Sequence, residues 1–169
     1  LYLTEMAGYS TVRTGFGVSV LAIMAFTTAN FSGRLADRFG HRRIAVPGMC
    51  SFILGCLWLY QNAGANPSFF VDVFPALVLM GAGIGSGPTL LSAAAVSEVD
   101  PSNFSVAGAV AQTARQLSGA IGISIAVAIS GSNADEDAFR ATFLYLTIVA
   151  AMSAIAALKL PAANATRKL

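Results

Sequence analysis

This chain has little charge and little of the chemistry that catalysis needs. Only 11% of its 169 residues are charged, whereas a soluble domain carries about 25%. It has one histidine and two cysteines, and Cys50 and Cys56 are spaced for neither a zinc site nor a CxxC motif. It has no phosphate-binding loop and no glycine-rich nucleotide fingerprint. We therefore expect no metal site, no cofactor, no nucleic-acid partner and no enzymatic activity.

Apolar residues are abundant instead, at 56% of the chain, and the mean hydropathy is +0.70. A water-soluble protein of this length could not bury so much apolar surface, so the composition favours an integral membrane protein in contact with the lipid bilayer. Both cysteines lie inside one apolar run and are interpreted as small packing residues.

Long apolar segments recur along the chain, and roughly 20 apolar residues suffice for a helix to cross a bilayer. We expect an all-α membrane protein with five spans and the end of a sixth helix in residues 1–10. We expect residues 159–169 to form a cytoplasmic tail. The five predicted helices cover residues 12–32, 42–61, 69–97, 105–130 and 138–158.

A basic segment, Gly33–Arg43, separates the first two predicted helices and holds four of the ten Lys and Arg residues. Such clusters stay in the cytoplasm. With five spans, a cytoplasmic Gly33–Arg43 places eight Lys and Arg residues on the inner side and two on the outer side. The C-terminus is then also cytoplasmic.

The residues of this segment suggest individual roles. We expect Gly33 to let the chain leave the first helix, Gly40 to allow a tight turn, and Asp37 to cap the start of the second helix. The arginines could pair with acids of a neighbouring helix or with anionic lipid. The simpler alternative is a positive-inside anchor with a helix cap. The arginines concerned are Arg38, Arg42 and Arg43.

The third predicted helix contains two overlapping GxxxG pairs followed by a proline, Pro88. Glycines at this spacing let helix backbones approach closely in lipid, and the proline bends the helix. Packing alone and a gating bend both remain open as interpretations. The glycines are Gly81, Gly83, Gly85 and Gly87.

The fourth predicted helix carries a single charge, Arg115, two to three turns from its start, flanked by Gln112 and Gln116. An arginine inside the membrane needs a partner or a water-filled cavity, so this polar stripe suggests a cavity wall or a bonding face between helices. The alternative is that Arg115 snorkels to the inner interface.

The pattern G-x-x-x-D-R-x-G-x-R-R between two spans resembles the loop signature of the major facilitator superfamily. The resemblance implies a cytoplasmic latch between the second and third helices of a six-helix half. The chain would then be the C-terminal half of a transporter, and its partner would be the missing N-terminal half of the same polypeptide. The matching residues are Gly33, Asp37, Arg38, Gly40, Arg42 and Arg43.

Three further stretches resemble the fourteen-span drug:proton antiporters of the QacA/EmrB type. They are the Gly8-Tyr9-Ser10 entry to the first helix, the glycine run of the third and the phrase T-A-R-Q-L-S-G-A-I-G from Thr113. The resemblance implies a cell-membrane exporter of lipophilic or cationic small molecules that works by alternating access. A proton gradient would supply the energy, and Arg115 and Gln116 would contribute to the cavity wall.

No Asp or Glu lies in the middle of a predicted span, so we expect the proton-coupling acid in the missing half. Two alternatives stay open. One is a transporter of another substrate class, such as sugars or organic anions. The other is a truncated membrane protein that transports nothing.

Overall fold

The computed structural model describes residues 10–62, 68–97, 99–130 and 136–158, and the regular structure in these ranges is entirely helical, as predicted. One π-helical turn, Phe69–Val73, continues directly into the third helix, and a 3-10 turn, Pro101–Asn103, leads into the fourth. The predicted helix end in residues 1–10, apart from Ser10, and the predicted tail lie outside the described residues. The α-helices are α1 (Thr11–Phe39), α2 (His41–Asn62), α3 (Phe74–Ser97), α4 (Phe104–Ser130) and α5 (Glu136–Leu158).

The end of α1 corrects the sequence-based prediction, because the helix continues through Gly33 to Phe39. Arg, Leu and Ala are strong helix formers, so they extend α1 beyond its apolar part. The helix ends at Gly40, which has a φ of 91° and donates its N–H to the carbonyl oxygen of Ala36 at 2.8 Å. The predicted loop over Gly33–Arg43 is therefore wrong. Its residues form two helix ends joined by one glycine.

Helix α5 also begins two residues earlier than predicted, at Glu136 instead of residue 138. Glu136 and Asp137 form the first turn of α5, where negative charge suits the positive end of the helix dipole. Glu136 also pairs with Arg140 one turn later, at 2.9 Å. Residues 133–135 lie outside the described part of the chain.

Helix α3 is central, packed between α1 and α2, while α5 packs on the other side of α2. The end of the bundle that holds Gly40 is here called the motif end, and the opposite end is the far end. Among the residues that the structure describes, two apolar clusters connect the helices, one at each end. Ala36, Ala45 and Leu90 join α1, α2 and α3 at the motif end, and Leu59, Ala76, Phe139 and Phe143 join α2, α3 and α5 at the far end.

Within the described ranges, four segments are long and apolar enough to cross a membrane. Helix α4 is not among them although it has 27 residues, because Gln112, Arg115 and Gln116 reduce its apolar character. The structure thus supports four of the five predicted spans by length and composition. The four segments are Thr14–Phe39, His41–Asn62, Phe69–Ser92 and Glu136–Leu158.

Helix α4 makes few contacts and is exposed over most of its length. It is attached to α5 at the far end, where the hydroxyl groups of Ser130 and Thr142 are hydrogen-bonded at 3.0 Å. Ser130 is the buried residue of this helix. The surface of α4 that carries its polar residues is therefore uncovered in this structure.

The turn between α1 and α2 generates a stability prediction. Replacing Gly40 by Ala should destabilise the fold by about 1–2 kcal/mol, because an L side chain is strained at a left-handed φ. The measurement is thermal unfolding of the purified chain in detergent, followed by circular dichroism.

Gly33→Ala is the matched control, because Gly33 is helical and an added Cβ there would meet no atom within 4 Å. Its unfolding temperature should stay the same or rise slightly. Equal losses in both variants would contradict the special role of the turn at Gly40.

Candidate functional site

The charged groups of the predicted latch lie on the two helix ends at the motif end. Asp37 and Arg38 are exposed in the last turn of α1. An open surface groove of about 480 Å³ brings them together with Arg34, against the apolar side chains of Phe31 and Leu35. One carboxylate and two guanidinium groups thus share one groove that is open to a further partner.

Asp37 does not cap α2, contrary to the sequence-based expectation. It belongs to α1, and the first turn of α2 contains no acid. Among the described residues, no hydrogen bond or ion pair reaches the Asp37 carboxylate. Its charge is therefore available to a group outside the described part of the chain.

The start of α2 is basic, with His41, Arg42 and Arg43 in its first turn. A positive side chain at the positive end of a helix dipole is unfavourable, typically by about 0.3–1 kcal/mol. The stability of α2 therefore does not account for the presence of basic residues at its start. Their position suits membrane orientation or pairing with an external acid.

The glycines of α3 allow close contact on two opposite faces, and Gly81 and Gly85 face α1. A Cβ at Gly81 would lie 2.7 Å from the carbonyl oxygen of Leu21, and one at Gly85 would collide with Ala25 and Thr28. Because the obstacles include backbone atoms, these glycines cannot be replaced without separating the helices.

Gly83 and Gly87 face α2 in the same way. A Cβ at Gly83 would lie 2.8 Å from the carbonyl oxygen of Gly48, whereas one at Gly87 would meet the flexible side chain of Met49 at 3.1 Å. Sequence reasoning missed Gly48 and Gly55 of α2, which also face α3: a Cβ at Gly48 would meet Ser86, and one at Gly55 would lie 3.0 Å from the carbonyl oxygen of Ala76. Their separation of seven residues, which places them on one helix face, is the signal that could have identified them.

Pro88 leaves one backbone carbonyl of α3 without its helical donor, because proline has no N–H. The affected carbonyl belongs to Ile84, and the hydroxyl of Thr89 approaches it at 3.5 Å. Pro88, Ile84 and Gly83 line an apolar cavity of about 180 Å³, whose other wall includes Val149 of α5. Close packing by the glycines is observed, and the gating bend remains a prediction.

The polar stripe of α4 stands apart from the other predicted site residues. Gln112, Arg115 and Gln116 are all exposed, and no described residue forms an ion pair with Arg115. The structure thus brings the α3 glycines into contact with α1 and α2, but it brings the α4 stripe into contact with neither the latch nor the glycines.

Two polar contacts outside these sets also organise the bundle. Ser51 of α2 donates its hydroxyl to the carbonyl oxygen of Leu79 of α3 at 2.9 Å, which links the two helices. Between α3 and α4, Asp100 accepts hydrogen bonds from the hydroxyl of Ser102 at 2.6 Å and from its N–H at 2.9 Å. These bonds from Ser102 hold the pKa of Asp100 below its usual value, so the carboxylate stays charged in this turn.

The sequence also matches a known protein family and several characterised proteins. The model of the Major Facilitator Superfamily matches residues 1–169. The lincomycin resistance protein LmrB of Listeria innocua serovar 6a is 22% identical over 129 residues, which cover 76% of this chain and 27% of that protein. The puromycin resistance protein pur8 of Streptomyces alboniger is 28% identical over 131 residues, which cover 76% of this chain and 26% of that protein.

The chain spans about a quarter of the length of these curated relatives. No solved structure matches it.

The contacts of the α3 glycines generate a second stability prediction. Gly81→Ala should destabilise the bundle by about 1–3 kcal/mol, because the new methyl group overlaps the backbone of α1. Thermal unfolding of the purified chain in detergent measures this loss.

Gly15→Ala serves as the control, because Gly15 is a helical glycine of α1 where a Cβ would meet nothing within 4 Å. It should unfold at or slightly above the wild-type temperature. A wild-type unfolding temperature for Gly81→Ala would show that close contact between α1 and α3 is not needed.

Proposed function

The chain belongs to the Major Facilitator Superfamily, and on that premise we propose that it is the C-terminal part of a secondary active transporter that exports drugs or other lipophilic or cationic small molecules. The superfamily is one of transporters, not of enzymes. The observation that carries the proposal is the family match over the whole chain, together with relatives named for resistance to lincomycin and to puromycin. Export lowers the internal concentration of a drug, so it is a direct route to resistance.

In this proposal α4 is a fifth span and the bundle is one six-helix half in the cell membrane. At 1.5 Å per residue the 27 residues of α4 extend about 40 Å, which exceeds the hydrocarbon thickness of roughly 30 Å. We place the motif end in the cytoplasm, since its arginines outnumber those described at the far end. Helix α5 runs from the far end to the motif end, so the C-terminus is cytoplasmic as well.

Transport would proceed by rocking this half against the missing N-terminal half around a central cavity. The glycine contacts of α3 support this, because they join α1, α2 and α3 into one closely packed unit that can move as a whole. The uncovered polar face of α4 suits a position at the cavity, where Arg115 and Gln116 would meet water, substrate or the other half.

The latch would consist of Asp37, Arg38, Arg42 and Arg43. Asp37 has no ion-pair partner among the described residues, and the arginines at the start of α2 oppose the helix dipole. Both features favour pairing with charges of the other half in one of the two transport states. Breaking those pairs would release the halves.

We propose proton antiport as the source of energy, with the coupling acid in the part of the transporter beyond this chain. Within the described residues the acids lie at helix ends, as Asp72, Asp100 and Glu136 illustrate. An organic-anion transporter is the second candidate, because Arg115 is the charge farthest from the described helix ends and would suit an anionic substrate. A sugar transporter and a truncated protein that transports nothing are the remaining alternatives.

The test uses inverted membrane vesicles that contain the full-length transporter. An imposed pH gradient should drive uptake of a fluorescent cationic dye in the wild type. Asp37→Asn should lower the initial rate about five- to tenfold at an unchanged protein level, because it removes one charge of the latch. Dye fluorescence and immunoblotting measure the two quantities.

Asp137→Asn is the matched control, since it makes the same chemical change at the far end. It should transport at close to the wild-type rate. Parallel losses of transport and protein level in Asp37→Asn would make this residue structural. A wild type that moves no dye would remove the export proposal and lead to assays with sugars and organic anions.

A further inference from the structure

The burial of α4 shows which of its faces is directed towards the rest of the bundle. The partly buried positions repeat at intervals of three, four, seven and eleven residues, so they form a single face of the helix. The contacts of α4 with α3 and α5 identify this face as the one that looks inward. The positions are Ala107, Ala111, Gly122, Ala126 and Ile129.

Arg115 lies on this inward face, four residues after Ala111 and seven before Gly122. It is nevertheless exposed, and an added Cβ at Gly119 or Gly122 would meet no atom within 4 Å. Helix α4 therefore leaves a gap towards α3 and α5 at the level of Arg115, although it contacts α5 at the far end through Ser130.

The gap lies far from the start of α4. Arg115 is eleven residues from Phe104, which is about 16 Å along the axis. An arginine at such a depth needs a counter-charge or water, because hydrocarbon solvates its charge poorly.

No described acid on the neighbouring helices can supply that counter-charge. On α3 and the π-helical turn before it the described acid is Asp72, and on α5 the acids are Glu136 and Asp137, all three at the far end. Glu136 is already paired with Arg140. At the motif end Asp100 is bonded to Ser102.

We propose that Arg115 forms an ion pair with a carboxylate side chain on another helix of the transporter, outside the described residues, and that this helix fills the gap beside α4. The inference rests on the proposed function and assigns Arg115 as a positioning residue of the pathway. The amide groups of Gln112 and Gln116 lie on the adjoining side of α4 and can donate to the same carboxylate.

A resident carboxylate fits better than an anionic substrate because a carrier also passes through a substrate-free state. Arg115 would then lose its partner in every cycle if only the substrate supplied it. A side chain of the transporter remains in place and keeps the guanidinium neutralised throughout. The chain spans only about a quarter of its relatives' length, so the family has many helices that could carry this acid.

The experiment is a charge-neutralisation scan in the full-length transporter. Arg115→Gln should reduce the folded protein recovered from membranes at least about tenfold, because it leaves the carboxylate unpaired. In that background each Asp and Glu of the other spans is changed singly to Asn or Gln. One of these changes should restore recovery to within about twofold of the wild type.

Two controls make the result specific. Arg115→Lys keeps the charge and should retain most of the recovery. Leu117→Gln adds the same amide to an exposed position on a different face of α4, and the neutralisation that rescues Arg115→Gln should not rescue it. A scan in which no neutralisation restores Arg115→Gln would overturn the pairing.

The substrate alternative is tested with a matched pair, a lipophilic carboxylic acid and its neutral amide. If Arg115→Gln is recovered normally and loses transport of the acid alone, the partner is the substrate and the proposal fails. Recovery and thermal stability do not depend on transport. A wild type that moves no cationic dye in the vesicle assay, with rescue intact, would therefore refute the proposed function and leave the pairing standing.

Discussion

Backbone-to-backbone contact along α3 is the constraint on which the rest of this bundle depends. In lipid there is no hydrophobic driving force between helices, so they are held by close packing and a few polar bonds. Glycines on opposite faces of α3 let α1 and α2 approach closely. Backbone carbonyl oxygens of α1 and α2 then lie next to the positions that a Cβ on α3 would occupy. The apolar clusters at the two ends and the cavity beside Pro88 follow from this approach.

The sequence predicted the helices well along their apolar stretches, and failed where charged residues form the end of a helix. The first helix was expected to stop at Ser32 because Gly33 and the charged residues after it look like a loop. Backbone propensity instead carries α1 to Phe39, and only the left-handed φ of Gly40 stops it. The expected cap by Asp37 failed for the same reason, since that residue belongs to the preceding helix.

Other features could not be predicted from one sequence because they depend on which helices contact each other. Helical periodicity places Gly81 and Gly83 on different faces of α3, but it cannot say that the first meets α1 and the second α2. Nor does it reveal the bond between Ser130 and Thr142 that holds α4 to α5. Arg115 was identified as unusual from its depth, yet its direction towards the bundle emerged only from the burial of its neighbours.

The single-glycine connection at Gly40 also lowers the conformational entropy that is lost when the charged side chains of the motif end form ion pairs. Charges on a flexible loop lose conformational freedom when they bind, at a cost of roughly 1–2 kcal/mol for each backbone residue that becomes ordered. Here the backbones of Arg38 and Arg42 are already fixed in helices on either side of Gly40. Only their side-chain torsions remain to be ordered, so weak ion pairs can form and separate repeatedly without a folding step.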